Sequence, residues 1–310
     1  MLKKQSIIST DGKVVRYKLK FADLYASVNR PLILDGAMGS LLTERNLPID
    51  EILWSSALNI THPDAIQKIH EEYIDAGAEI ITTNTFRTNP AAVSKSALKI
   101  KNEELVRLSV SIAMNARARK NILIAGSNAP AEECYQKERT ISTDELKNNH
   151  HSHISWLWES GSDIIWNETQ SHLDEIIIIS KFCSENSIPY VISLYFDSYL
   201  RLLSGERVVE VFDRISEYSP DAIGFNCMKS NMLSKFIENY SLPVNWGFYL
   251  NCCVGERESN FSVCGLEPAD YIKEIKPLLD LKPFFAGACC GSNPSHTIAI
   301  KDLFNEIYRN

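Results

Sequence analysis

The feature that most constrains the fold of this sequence is a regular alternation of short apolar runs with segments of helical periodicity. Near-continuous apolar strands are typical of a parallel sheet that helices cover on its faces. The predicted strands lie at 31–40, 79–86, 121–130, 163–169, 190–196, 221–227, 243–251 and 283–290. In the predicted helices, apolar residues recur every three to four positions. These helices lie at 62–78, 91–119, 143–161, 172–186, 205–218, 231–240, 267–280 and 295–308.

Eight strand–helix units in one chain predict an α/β fold, a closed (β/α)8 barrel of the TIM type. An open, doubly wound sheet is the alternative, but it usually has fewer strands, and no Gly-x-Gly-x-x-Gly follows the first strand. No linker or change of composition divides the 310 residues, so we expect a single domain over 1–310. Residues 1–23 alternate around Asp11-Gly12 and predict a β-hairpin extension, which could cover the bottom of the barrel.

The overall composition narrows the kind of protein this can be. A formal charge of −7 without any basic run argues against nucleic-acid partners. The apolar stretches are far shorter than the roughly 20 residues of a membrane span, and the N-terminus has no apolar segment of signal-peptide length. Eight cysteines are too few for a disulfide scaffold of this length. We therefore expect a cytoplasmic protein with reduced thiols and no membrane partner.

Unusual polar residues stand where the predicted strands end. In a (β/α)8 barrel the carboxyl ends of the strands form the active-site face. Asp35-Gly36 end the first strand, and Asn167-Glu168-Thr169 end the fourth. Asn226-Cys227 end the sixth and Cys289-Cys290 the eighth.

The three thiols of Cys227, Cys289 and Cys290 should converge over the barrel mouth, with Gly291 freeing the backbone just after the pair. Three thiolates around a borderline cation leave one position open, the pattern of a catalytic zinc. A substrate thiol in that position would be held as thiolate, which favours alkyl transfer to sulfur. The adjacent pair Cys252-Cys253 also ends a strand, and spacing alone does not choose between the two pairs.

A histidine-rich segment, "NNHHSHISW", could also suggest a metal site. His150 and His153 share one face of the predicted helix, and His151 lies off it. We interpret the segment as a solvated helix face.

Several segments resemble the homocysteine S-methyltransferase family in the same order and at similar separations. They are "LDGAMGSLL", "ALNITHPDAIQKIHEEYIDAGAEIITTNTF", "DIIWNET", "GFNC" and "GACCG", and the resemblance runs from about residue 31 to the C-terminus. The pair "GFNC…GACCG" is its most specific part. The resemblance implies a (β/α)8 barrel in which Cys227, Cys289 and Cys290 hold Zn²⁺.

The resemblance also implies roles in substrate binding. Glu168 would accept hydrogen bonds from the ammonium of homocysteine, and the backbone at Asp35, Gly36, Ala37 and Met38 would receive its carboxylate. Asn226 would orient a neighbouring ligand. The sequence departs from the family after the seventh strand, where "YLNCCVGERES" replaces the usual Tyr-Pro-Asn-small-Gly stretch, and this change falls on the methyl-donor side.

Two functions follow as hypotheses. The first is zinc-dependent methyl transfer to homocysteine from a small onium donor, namely S-methylmethionine, S-adenosylmethionine or betaine. No corrinoid or folate module is expected after the barrel, which favours a small donor; delivery of the methyl group in trans by a separate corrinoid protein is the alternative. Phe86, Trp166 and Tyr249 are candidate walls for the donor pocket. The second is a non-catalytic zinc- or thiol-binding barrel that acts as a metal store or redox sensor.

Overall fold

The computed structural model describes residues 18–253 and 265–308, together with the backbone of two short strands before them. Those strands, β1 (Ile7–Ile8) and β2 (Val14–Val15), pair antiparallel. The Asp11-Gly12 turn predicted between them lies outside the described residues.

Eight parallel strands form one sheet that closes on itself. They are β3 (Leu32–Ile33), β4 (Ile80–Thr82), β5 (Leu123–Asn128), β6 (Ile164–Gln170), β7 (Tyr190–Leu194), β8 (Ala222–Asn226), β9 (Trp246–Leu250) and β10 (Phe285–Ala288). Strands β4 to β10 pair with one another in chain order, and β10 pairs with β3. A parallel bridge between Leu34 and Ile80 joins β3 to β4. The predicted (β/α)8 barrel is confirmed.

Helices connect the strands around the outside of the barrel. They are α1 (Phe21–Val28), α2 (Gly39–Glu44), α3 (Leu58–Thr61), α4 (Pro63–Ala76), α5 (Pro90–Val93), α6 (Asn102–Arg117), α7 (Thr143–Glu159), α8 (Leu173–Glu185), α9 (Val208–Ile215), α10 (Ser230–Asn239), α11 (Pro268–Leu279) and α12 (Pro294–Ile307), with 3₁₀ turns at Ser55–Ala57 and Ser216–Tyr218. Local signals fix several ends: Pro63 opens α4, Gly77 closes it with φ 116°, and Ser142 with Glu145 forms a capping box on α7. No helix among the described residues combines the length and apolarity needed to cross a bilayer.

The predicted helix over 91–119 is wrong in its first part, because the chain forms a short α5 and then a separate α6. Between them Ser96 donates its hydroxyl to the carbonyl of Val93 at 2.8 Å and accepts from the amide of Leu98 at 3.3 Å. Serine side chains that bond to nearby backbone compete with helical hydrogen bonds. The helical pattern therefore resumes only at Asn102.

The bottom of the barrel is covered by α1, which begins inside the segment predicted as hairpin. Phe21 is buried and packs edge-to-face on Trp166, with ring centroids 6.2 Å apart, and on Phe285 at 6.4 Å. Both partners are fully buried inside the barrel. The hairpin boundary at residue 23 is thus wrong: helix α1 starts at Phe21, and its apolar face closes the barrel.

Candidate metal centre and substrate cavity

Three thiols meet at the carboxyl end of the barrel. Cys227 follows β8, and Cys289 and Cys290 follow β10. Their Sγ atoms all lie within 4.8 Å of one another, and those of Cys289 and Cys290 are 4.0 Å apart. Among the described residues, no other group of three His, Cys, Asp or Glu side chains is gathered this closely.

The backbone explains how two adjacent cysteines present their sulfurs to one point. Strand β10 ends at Ala288, so the alternation of side chains across a strand stops before the pair. Gly291 has φ 81° and turns the chain directly after Cys290. Cys227 itself has φ 55°, a left-handed conformation that few non-glycine residues adopt, and this turn sets the direction of its side chain.

The three thiols cannot all ionise without a compensating cation. Contacts with Cys227 and Cys290, together with burial, raise the pKa of Cys289 well above its usual value. The Cys289 contact lowers the pKa of Cys227, but Cys290 and burial outweigh it, and the net pKa is raised well above normal. Tetrahedral zinc with Zn–S bonds of about 2.3 Å separates its sulfur ligands by about 3.8 Å. The observed separations therefore fit such an ion after little movement.

The second cysteine pair lies outside this cluster. Cys252 is fully buried, and its amide donates to the carbonyl of Cys290 at 2.9 Å. The Cys253 thiol donates to the same carbonyl at 3.2 Å. Cys252 and Cys253 thus brace the turn that carries Cys290.

A cavity of about 160 Å³ opens beside the thiols. Its lining includes two carboxyl groups, Asp35 and Glu168, and four aromatic rings. Within the described part of the chain, no Lys, Arg or His side chain lines it. Its side chains therefore offer partners for a bound cation, and a bound anion would depend on backbone amides.

Asp35 and the turn after it form one wall of the cavity. The Asp35 carboxyl accepts from the amide of Thr82 at 2.8 Å and from its hydroxyl at 3.1 Å, which ties the ends of β3 and β4 together. Burial raises the pKa of Asp35 well above its usual value. Gly36, Ala37 and Met38 line the cavity, and the amide of Ala37 donates to Ser292 Oγ at 3.0 Å.

Glu168 faces the cavity from the end of β6. The hydroxyl of Ser127 donates to its Oε1 at 2.5 Å. Burial raises the pKa of Glu168 to about 7, although bonds from Ser127 and Tyr249 act in the opposite direction. Ser127 is one of the polar residues that end predicted strands, but sequence reasoning gave it no role in the site.

Asn226 is fully buried and lies outside the cavity lining. It accepts from the amide of Thr169 at 3.0 Å and donates to the Thr169 hydroxyl at 2.9 Å. It therefore contacts neither the cavity nor a thiol through these bonds. Because Asn226 precedes Cys227 and bonds to Thr169, it holds the carboxyl ends of β8 and β6 together.

Aromatic rings form the wall beside the strand ends of β4 and β9. Of the three rings predicted for this wall, Phe86 and Tyr249 line the cavity. Trp166 lies in the barrel core instead, and its Nε1 donates to Tyr249 Oη at 3.2 Å. Trp54 stacks on Phe86 with centroids 5.4 Å apart and planes 12° apart. Trp54 and Tyr135 also line the cavity and were missed, because each stands in a loop without periodic pattern.

Two histidines of the histidine-rich segment are buried, so the prediction of a solvated face is wrong for His150 and His153. His150 Nε2 lies 2.6 Å from Glu175 Oε1, and His153 Nδ1 lies 2.8 Å from Asn128 Oδ1. Both side chains are fully buried. This face of α7 packs behind β5, where the buried side chains of Glu175 and Asn128 provide hydrogen-bond partners for the two histidines.

These features define a class, a (β/α)8 barrel enzyme with a three-thiol centre at its catalytic face. The family model for homocysteine S-methyltransferase matches residues 32–304. The chain belongs to the homocysteine S-methyltransferase family, which transfers methyl groups to homocysteine.

Curated relatives agree with this assignment, and a solved structure shares the fold. The chain is 24% identical over 308 residues to homocysteine S-methyltransferase 2 of Zea mays, covering 89% of this chain and 90% of that protein. It is 27% identical over 237 residues to homocysteine S-methyltransferase YbgG of Bacillus subtilis (69% and 75%). The metallated form of the homocysteine methyltransferase MmuM from Escherichia coli shares the fold, with TM-score 0.75, 22% identity and coverage of 91% and 99%.

Proposed function

We propose that this enzyme holds Zn²⁺ on Cys227, Cys289 and Cys290 and transfers a methyl group from a small onium donor to homocysteine, giving methionine. The observation that carries this proposal is the position of the three-thiol cluster, which adjoins a cavity with two carboxyl groups and no cationic side chain among its described lining residues. When bound, zinc would lower the pKa of an incoming thiol, so that the thiol is held as its thiolate near neutral pH.

Glu168 gives the cavity a partner for the homocysteine ammonium. Its carboxyl group is fixed by Ser127 and faces the cavity beside the thiols. A bound ammonium would favour the ionised carboxylate and so lower the raised pKa of Glu168.

The turn Gly36–Met38 is our assignment for the homocysteine carboxylate. Backbone amides in a tight turn receive anions without requiring a cationic side chain. Asp35, through its bonds to Thr82, would fix this turn. The Ala37 amide already donates to Ser292, so the carboxylate would depend on the other groups of the turn.

The aromatic wall supports an onium donor over an anionic one. Trp54, Phe86 and Tyr249 line the cavity, and aromatic faces attract sulfonium and quaternary ammonium groups. Because the donor loses its charge as the methyl group leaves, an apolar pocket also favours the transfer itself. S-methylmethionine, S-adenosylmethionine and betaine all meet this requirement. Since the thiols must stay reduced, we also propose that the enzyme works in the cytoplasm.

The test is to incubate purified, reduced, zinc-loaded enzyme with homocysteine and each onium donor in turn, and to measure methionine. An anionic methyl folate serves as the negative control. We expect methionine from at least one onium donor, none from the folate, and none from a Cys290→Ser variant. Zinc binding without methionine from any onium donor would contradict the proposal and favour a thiol-binding or redox-sensing barrel.

A further inference from the structure

Three loops that follow successive barrel strands build the aromatic side of the cavity. The loop after β3 carries Trp54, the loop after β4 carries Phe86, and the loop after β5 carries Tyr135. Loops at this face of a barrel are separate excursions of the chain. Something must hold them in register if their rings are to form one surface.

Arg87 contacts all three loops at once. It belongs to the loop after β4, directly beside Phe86. Its Nε donates to the carbonyl of Ile52 at 3.2 Å, in the loop after β3, and its Nη1 donates to the carbonyl of Glu132 at 2.9 Å, in the loop after β5. Its amide also donates to Ser56 Oγ at 3.3 Å.

The same guanidinium group supports the ring of Trp54. Arg87 Cζ lies 5.1 Å from the centroid of that ring, within cation–π range. Trp54 has φ 51°, a conformation that is disfavoured for a bulky residue and persists only where surrounding contacts hold it. The bond to Ile52 and the contact with the ring act on the same short segment.

Arginine is the side chain that suits this position. Its planar group presents donors in several fixed directions, so it can serve two carbonyls and a ring face together, whereas lysine offers one compact nitrogen. Arg87 is half-buried and does not line the cavity. Its charge is directed at the loops, and the cavity keeps its partners for a bound cation.

We propose that Arg87 is a positioning residue that clamps these three loops into one wall and thereby sets the affinity for the methyl donor. This inference rests on the proposed function, because it places the onium donor against Trp54 and Phe86. The homocysteine side, with Glu168 and the turn Gly36–Met38, makes none of the Arg87 bonds described above. Loss of the clamp should therefore act on one substrate and spare the other.

The test compares Arg87→Gln and Arg87→Lys with Arg107→Gln. Arg107 is a matched control, since it is an exposed arginine on α6 that pairs with Glu103 and does not line the cavity. Steady-state kinetics give KM for the donor and for homocysteine separately, and metal analysis gives the zinc content. Hydrogen exchange of segments 50–56 and 131–136 reports on the loops without depending on activity.

For both Arg87 variants we expect the KM for the donor to rise about tenfold. The KM for homocysteine should stay within about twofold of the wild-type value. The zinc content should be unchanged, and both segments should exchange faster. An unchanged donor KM, an equal rise in both KM values, or recovery of wild-type behaviour in Arg87→Lys would overturn the clamp. If the wild-type enzyme uses no onium donor, the proposed function fails. In that case, unchanged exchange in Arg87→Gln would still overturn the clamp separately, and faster exchange would uphold it.

Discussion

Asn226 on strand β8 and Thr169 on strand β6 are joined by two hydrogen bonds that link the strands on either side of β7. The Asn226 amide group accepts from the Thr169 backbone at 3.0 Å and donates to its hydroxyl at 2.9 Å. Cys227 and Thr169 both have φ 55°, so two left-handed turns meet at this pair. One turn directs a thiol into the cluster, and the other follows Glu168. The pair thus links the two sides of the proposed homocysteine site.

Replacing Asn226 should weaken zinc binding although Asn226 is no ligand. Residues that orient metal ligands typically contribute 10–100-fold in affinity, so we expect Asn226→Ala to lower zinc affinity by about that factor. Competition with a chromogenic chelator measures it. Asn239→Ala on the exposed face of α10 is the control. A lower melting temperature with wild-type zinc affinity would show that Asn226 serves the fold alone.

Substitutions in the two cysteine pairs should have opposite effects on zinc binding. Cys290→Ser removes a soft ligand from the cluster and should abolish stoichiometric zinc binding, because a serine hydroxyl is not deprotonated by the ion at neutral pH. Cys253→Ser should keep one zinc per chain, since Cys253 lies outside the three-thiol cluster and a serine hydroxyl can still donate to the Cys290 carbonyl. Metal analysis after dialysis distinguishes the two. Zinc retained by the first variant and lost by the second would assign the site to the other pair.

Glu168→Gln should weaken homocysteine binding and leave zinc in place. Glutamine keeps an acceptor for Ser127 but loses the charge-assisted bond to the ammonium, so KM for homocysteine should rise about tenfold to a hundredfold. The matched substrate is 4-mercaptobutanoate, which has the thiol and the carboxylate without the ammonium. The variant should handle it as the wild type does. An equal loss with both thiols would show that Glu168 acts on something other than the ammonium.

His70 should make the enzyme sensitive to acid. It is fully buried on α4, and neither ring nitrogen has a hydrogen-bond partner in the described part of the chain. Burial lowers its pKa from 6.5 to about 4. The folded-state pKa lies below the unfolded one, so the unfolded state binds more protons between these values and stability falls as pH falls through them.

The expected loss attributable to His70 approaches about 3 kcal/mol below pH 4. Urea unfolding of the wild type and of His70→Leu at pH 8 and pH 5 measures it. The advantage of the leucine variant should grow by about 2 kcal/mol between the two pH values. An advantage that does not change with pH would mean that His70 is not the acid-sensitive group.

The sequence was sufficient for the parts of this molecule that depend on local pattern. Apolar strands of parallel type and amphipathic helices give the barrel order directly, and strand ends give the face on which polar side chains gather. That order brings Cys227 and Cys289-Cys290 to one face, but it brings Cys252-Cys253 there too, and only the family resemblance distinguished the two pairs.

What the sequence did not reveal depends on contacts between distant segments. Trp54 reaches the cavity through a backbone turn with positive φ, and no glycine or asparagine at this position indicates that turn in the sequence. His150 and His153 were assigned to solvent because their buried acceptors, Glu175 and Asn128, lie on other elements. The break between α5 and α6 depends on a serine whose effect was hidden by a helical pattern on both sides.

The central claim is that three sulfurs from two strand ends bind one zinc and leave a place for the substrate thiol. X-ray absorption at the zinc edge of the reduced enzyme tests it most directly. We predict three sulfur neighbours at about 2.3 Å with one lighter atom, and four sulfurs once homocysteine is added. A zinc shell with fewer than three sulfurs, or one that does not change with homocysteine, would contradict the account.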